Sequence, residues 1–361
     1  MRSSKAPVTM NAPLMPDTVI EDRIEEPAEP ITAPAAPAAR APALPKRRPG
    51  IVRHLALTVC RWFDNHSGAS ELDVTSPPHV DWVRILPFIA IHVCCAGVIW
   101  VGWSWSAVIL AVVLYAARMF AITGFYHRYF SHRSFSTSRF MQFLFAYVGN
   151  SSAQRGPLWW AAHHRHHHRH SDQEADRHSP RLQGLIWSHM GWFSAQSNYR
   201  TDIKLVPDLA KFPELRFLDR FDILAPLSLA LICFFLGHAL NAFWPALGTS
   251  GMQMWVWGFC ISTVAVCHAT FTVNSLTHVF GTQPYPSGDD SRNSLLIALV
   301  TFGEGWHNNH HYYQSSVRQG FRWWQIDMTY YVLWSMSCLG LVWGMKAIPK
   351  AVVAHAGHAD S

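Results

Sequence analysis

Histidine spacing is where this chain carries chemistry. His163-His164-Arg165-His166-His167-His168-Arg169-His170 sits between Trp159-Trp160 and an acidic run from Asp172 to Asp176. On a helix, positions i, i+3 and i+4 share a face, so His164, His167 and His168 present three imidazoles together. That is metal-ligand geometry. The same spacing returns at His307, His310 and His311. His127 and His132 form another pair, five positions apart. On an α-helix that offset is about 140°, so their rings reach a shared centre by wrapping it or by straddling a helix end. His278, in Asn274-Ser275-Leu276-Thr277-His278, supplies one more ring.

A first-row metal takes roughly four to six ligands, so these imidazoles exceed one site and suit two. Imidazole accepts iron, zinc, copper or nickel, and ligand type alone does not name the metal. A carboxylate-bridged bundle would need a second Glu-x-x-His motif beside Glu304-Gly305-Trp306-His307, so an all-histidine site fits better. Asp172, Glu174, Asp176 and Glu304 stand close in sequence as acceptors for ring N–H groups. His163, His166 and His170 fall off the triplet face and read as basic surface residues. His92, His238 and His268 read as packed or interfacial, while His178, His189, His355 and His358 receive no role.

These clusters must be positioned by membrane elements. The chain has 361 residues, 50% of them hydrophobic and only 14% charged, against about 25% charged in soluble domains. The composition predicts an all-α integral membrane protein. Four spans are expected, as two hairpins: 85–101 with 105–123, and 221–244 with 252–274. Their short connections carry no Lys or Arg, whereas the segment from Tyr126 to Arg220 is rich in both. The positive-inside rule therefore puts both termini and every histidine cluster in the cytoplasm, in a helical cap formed by 125–220 and 275–348. Arginines beside apolar spans argue against a nucleic-acid partner. The seven cysteines form no C-x-x-C pair and read as reduced small hydrophobes.

Residues 1–50 are rich in Pro and Ala and read as a disordered tail. Residues 51–84 form a juxtamembrane segment, amphipathic at its start, 85–348 the main domain, and 349–361 a C-terminal tail. Phe140 to Val148 is too short to span. Met328 to Ala347 has the length of a fifth span. A metal transporter is the non-enzymatic rival. It would need polar ligands within its spans, and these offer His92, His238 and His268 with no Asp or Glu.

In order and spacing, His127-x4-His132, His164-x2-His167-His168, Asn274-x3-His278 and His307-x2-His310-His311 resemble the membrane fatty acyl desaturases. The likeness is to the stearoyl-CoA (delta-9) type and its bacterial relatives, over about residues 80–345. It implies four transmembrane helices under a cytosolic cap, and makes Met328–Ala347 part of that cap. Nine histidines would hold two irons (Fe2+/Fe3+), with Asn274 reaching one through water. It further implies that O2 and two electrons give a cis double bond in a saturated acyl chain, beside a kink shaped by Gln154, Trp160 and Thr270. The bacterial likeness suggests an inner-membrane location. No fused electron carrier is evident, so a separate ferredoxin, rubredoxin or cytochrome b5 type donor is expected on the basic face.

The chain departs from the family pattern where animal enzymes hold coenzyme A phosphates. Those positions read Ala162, Gln196 and Ser197, with Arg155 as a candidate substitute and Arg200 and Lys204 close in sequence. Coenzyme A is the first expectation for the carrier, with acyl carrier protein or a membrane lipid as alternatives. A related hydroxylase or alkane monooxygenase is the nearest enzymatic rival.

Overall fold

Ser104 accepts the Ala107 amide at 3.2 Å and so opens the apolar run that becomes helix α3. In this computed structural model, residues 50–68 and 78–354 are described; the Pro- and Ala-rich segment before Gly50 and the end of the C-terminal tail lie outside them. The helices that matter here are α1 (Ile51–Cys60), α2 (Leu86–Val101), α3 (Trp105–Ser131), α4 (Arg139–Asn150), α5 (Pro157–His170), α6 (Pro213–Arg220), α7 (Leu224–Phe243), α8 (Gly251–His278), α9 (Leu295–Val300), α10 (His307–Tyr312) and α11 (Met328–Cys338).

Three of these helices, not the expected four, are long and apolar enough to cross a bilayer: α3, α7 and α8, with 27, 20 and 28 residues. The first arm of the first hairpin falls short. α2 is interrupted at Ala96-Gly97, and its roughly 24 Å of helix does not match a hydrocarbon core of about 30 Å. The interruption has a packing cause. A Cβ on Gly97 would meet Cys94 O at 2.9 Å and Val256 at 3.2 Å, so glycine permits the approach of α2 to α8 at the expense of helix continuity.

The stretch Met328–Ala347 is no span. α11 ends at Cys338, Gly340 turns the chain with φ 70°, and Val342–Trp343 pairs antiparallel with Ser136–Thr137, Ser136 opposite Trp343. α4 contains Phe140–Val148 and is sided: Gln142, Ala146 and Gly149 are buried while Phe140 is 70% exposed.

The core that carries the cap lies between α3, α4, α5 and α6. Phe125, Tyr126, Phe130, Leu158, Ala161, Leu215 and Leu218 are buried there, with Phe125 stacked on Phe145 at 4.0 Å. α5 is pinned at its start. Pro157 takes the first helical turn, and Asp219 on α6 accepts the Trp159 amide at 2.7 Å, satisfying one of the orphan donors. A side chain at Gly156 would place Cβ 2.3 Å from the Asp219 Cα.

Candidate metal centre

The chain delivers its first two histidines through an unusual backbone. From Ala121 to Ser131, α3 is a π-helix, and the His132 amide donates to the His127 carbonyl at 3.2 Å in the i to i+5 pattern. That pattern brings residues five apart onto one side. The two rings lie 4.9 Å apart, without wrapping a centre as the 3.6-residue period requires. Arg165, inside the central cluster of α5, donates to the last carbonyls of α3, Phe130 O at 2.7 Å and Ser131 O at 2.9 Å, and to Asp208 at 2.7 Å. It closes the helix end and locks α5 against it.

The nine predicted histidines gather into two groups. His127, His132, His164, His168 and His310 form the first; His167, His278, His307 and His311 form the second. Within the first group Nε2 atoms face one another, His132 to His164 at 2.8 Å, His127 to His310 at 2.9 Å, and His168 to His164 at 3.0 Å. In the second, His278 Nε2 lies 3.1 Å from His307 Nε2. α3 and α8 both run toward the cap, which is why His127 and His278 arrive at the same end.

Carboxylates fix the rings from behind. Glu304 takes the Nδ1 side of His127 and is itself held by Arg128 at 3.1 Å and Gln319 at 3.0 Å. Asp176 lies 3.1 Å from His167 Nδ1, Asp172 2.8 Å from His278 Nδ1, and Asp289 2.5 Å from His311 Nδ1. A ring that donates Nδ1–H outward turns an Nε2 lone pair inward. His311 Nε2 is buried and has no hydrogen-bond partner among the described residues. Converging lone pairs repel unless a cation lies between them, so the donor set fits bound metal. Burial, reinforced by neighbouring imidazoles, holds His164, His168, His307 and His310 well below the usual histidine range, in the neutral ligating form.

Beside the first group opens a cavity of about 570 Å³. Gln154, Trp160, His164, Thr270 and Asn274 line it, and Gln154 Nε2 donates to Thr270 Oγ1 at 3.2 Å. Trp160 also stacks on His164 with ring centres 5.0 Å apart. Phe88 and Ile91 of α2, Leu227 and Leu231 of α7, and Trp255 and Phe259 of α8 wall the rest. Trp62, Arg84, Arg155 and Asp222 line it as well.

The sequence profile of the fatty acid desaturase family matches residues 103–342. The chain is a fatty acid desaturase family member. It is 36% identical over 279 residues to the sn-1 stearoyl-lipid 9-desaturase of Anabaena variabilis, covering 76% of this chain and 97% of that protein. It is 38% identical to the chloroplastic palmitoyl-monogalactosyldiacylglycerol delta-7 desaturase of Arabidopsis thaliana, over 59% of this chain and 54% of that one. To the icosanoyl-CoA 5-desaturase of Limnanthes douglasii it is 34% identical, over 59% and 57% respectively. The chain thus spans about half the length of the two plant proteins.

Several residues of this desaturase depart from the sequence reading. Glu174 is exposed, outside the centre, while Asp289 takes the acceptor role that its distance from any histidine pattern concealed. His163 is not on the surface. It is 5% exposed, 4.2 Å from the Trp159 ring, with Arg177 2.9 Å from its Nδ1. His178 shares Asp176 with His167, at 3.0 Å. Arg200 and Lys204 do not line the cavity, whereas Arg155 does.

Proposed function

We propose that this desaturase uses the nine histidines to hold two irons and inserts a cis double bond into a saturated acyl chain lying in the cavity, with Asn274 contributing through water. The observation that carries the reading is shared lining: Trp160, His164, Thr270 and Asn274 belong both to the apolar cavity and to a small void against His127, His167 and His307. Apolar walls with few polar groups suit an alkyl chain. Bound iron supplies the O2-dependent removal of hydrogen from an unactivated methylene pair, which no side chain here performs. The protein's part is to bind, bend and dry the chain. Leu227, Leu231 and Phe259 take its length, while Gln154, Trp160 and Thr270 shape it where it passes His164.

A membrane lipid suits the cavity as acyl carrier better than coenzyme A does. Phosphates need several uncommitted basic donors. Arg84 spends its donors on Arg61 O and on Asn65 at 2.8 Å, and Arg155 faces Asp222 at 3.1 Å and Tyr199 O at 3.0 Å. Leu227 and Leu231 are 47% and 49% exposed on the membrane helix α7, so the cavity wall is continuous with lipid-facing surface. The name of the cyanobacterial relative also gives a lipid carrier and carbon 9, and we assign delta-9 regiochemistry on that likeness. The excess of arginine in the cap supports a cytoplasmic cap by the positive-inside rule, and the likeness to a bacterial relative supports an inner-membrane location, with α2 as a shortened membrane element beside the three long helices. A separate electron-donor protein would dock on the cap.

Expression of the chain, and of His307→Ala, in a host lacking its own desaturase tests this. A cis-9 monoene in glycerolipids that vanishes with His307→Ala is expected. Product confined to the acyl-CoA pool would overturn the lipid carrier. Oxygenated chains without alkene would overturn desaturation.

A further inference from the structure

Arg118 is a buried charge that the metal centre does not use. It lies midway along the 27-residue membrane helix α3 and is 1% exposed. Its Nε donates to Leu114 O at 3.0 Å, its Nη1 to Ser151 O at 3.3 Å and to Thr263 Oγ1 at 2.7 Å, and its Nη2 to Ser262 Oγ. All four acceptors are neutral oxygens. A charge held inside a membrane domain without a counter-charge among its partners is unfavourable, so such a residue points to function.

What Arg118 holds is the loop between α4 and α5. Ala153, Gln154 and Arg155 of that loop line the acyl cavity, and Ala153 and Arg155 have φ of 57° and 72°. Residues other than glycine rarely adopt this left-handed region. Two of them flanking Gln154 persist only where the surroundings over-determine the backbone. Those surroundings are one face of α8. Thr263, Cys267 and Thr270 stand at i, i+4 and i+7 on an α-helical stretch, and all three line the cavity. They take the loop in order. Arg118 Nη1 joins Thr263 to Ser151 by giving one hydrogen to each, Cys267 Sγ donates to Ser152 O at 3.4 Å, and Thr270 Oγ1 accepts Gln154 Nε2 at 3.2 Å. The loop is thereby zipped along the side of α8 that faces the cavity.

We propose that Arg118 is a positioning residue for regiochemistry: it clamps the loop Ser151–Arg155 against Thr263 and so fixes where along the acyl chain Gln154 and Thr270 impose the bend. This rests on the reading of the cavity as an acyl site. Arg118 is not among the cavity-lining residues and acts through Ser151 and Thr263. Lysine carries the charge on one nitrogen and lacks the planar fork that reaches these oxygens while Nε closes on Leu114. Ser262 supplies an internal control. It accepts from the same guanidinium and donates to Gly258 O, but it lies outside the cavity lining and touches no part of the loop.

Two readouts separate the clamp from the acyl reading. Hydrogen–deuterium exchange of the Ser151–Arg155 amides, in the iron-loaded full chain in lipid nanodiscs, reads local opening of the loop. Mass spectrometry of derivatised fatty acids from a host lacking its own desaturase reads the double-bond position. Arg118→Lys and Thr263→Val, the second removing only the hydroxyl acceptor, are expected to speed loop exchange and to spread the double bond onto adjacent carbons at unchanged metal content per chain. Thr263→Ser keeps the hydroxyl and loses the methyl, and Ser262→Ala leaves the bridge to the loop; both are expected to keep the wild-type position and exchange. Less alkene with no positional spread in Arg118→Lys and Thr263→Val makes Arg118 merely structural and overturns the proposal. Unchanged loop exchange in those two variants overturns it, as does a spread in Ser262→Ala as large as in Thr263→Val. A wild-type chain that makes no alkene overturns the regiochemical role together with the acyl reading, while faster exchange in the bridge variants still identifies the clamp.

Discussion

Replacing Glu304 by Gln separates metal retention from fold stability in this protein. Glu304 is buried and faces three partners, the Nδ1 side of His127, Arg128 Nη2 at 3.1 Å and Gln319 Nε2 at 3.0 Å. Arg128 also holds Asp327 at 3.0 Å and donates to Val317 O at 2.8 Å, so the substitution does not orphan the guanidinium. Orphaning a buried charge costs roughly 3–5 kcal/mol; with Asp327 in place we expect about 2 kcal/mol, the range for one lost charged hydrogen bond. The glutamine oxygen still accepts from His127 Nδ1 but no longer orients the ring with a full charge. Loss of such a partner typically lowers metal affinity roughly 10–100-fold. Asp327→Asn is the matched control: it weakens the same arginine and leaves the Glu304 carboxylate on His127. Metal content after dialysis against graded chelator, together with denaturation in detergent, reads both quantities. Glu304→Gln is expected to lose metal at lower chelator than Asp327→Asn, although Asp327→Asn is destabilised at least as much because Asp327 also accepts the Gln319 and Tyr330 amides. Equal metal retention in both would refute the orienting role of Glu304.

Arg165→Lys cannot reproduce a fork that reaches Phe130 O, Ser131 O and Asp208; it is expected to lower metal occupancy with all nine histidines intact, measured as metal per chain. Gly156→Ala drives a methyl into the Asp219 backbone and should cost at least 1–3 kcal/mol, about the penalty for overpacking, seen as a lowered denaturation midpoint. Burial raises Asp219 to about 6, above the unfolded value of about 3.9, so stability falls as pH rises from about 4 to 6, by on the order of 2–3 kcal/mol. Asp219→Asn should flatten that window. Thr270→Val removes the acceptor for Gln154 and is expected to broaden the distribution of double-bond positions, read by mass spectrometry of derivatised fatty acids.

The histidine triplets were legible because their spacing is helical and the structure keeps them helical, on α5 and α10. His127 and His132 were legible as a pair but not in their geometry, since the expectation used 3.6 residues per turn and the segment is a π-helix. Asp289 was hidden for a different reason: it lies in a turn whose path back to His311 depends on tertiary contacts through Ser287, Ser291 and Asn308. Four spans were expected because hydropathy counts apolar residues and does not register a break at Gly97. The cavity residues Gln154, Trp160 and Thr270 came from resemblance; apolar patterning alone does not separate a wall from a core. His163 misled because its neighbours in sequence are basic, whereas its neighbours in space are Trp159 and Trp192.

A π-helix of eleven residues is a register that a free peptide would abandon for the α-helix. Here tertiary contacts hold it: Arg165 grips its last carbonyls, Arg128 anchors it to Asp327, and Tyr126 donates to Ala146 O at 3.0 Å. Information about where His132 points is therefore written far from His132. In a screen of random variants, changes at Arg165 would be scored with the histidines although it belongs to neither of their two groups. A single-residue deletion between His127 and His132 would be worse than most substitutions there, because it moves the second ring to another side of the helix. The segment tolerates replacement of its letters far better than any change in their number.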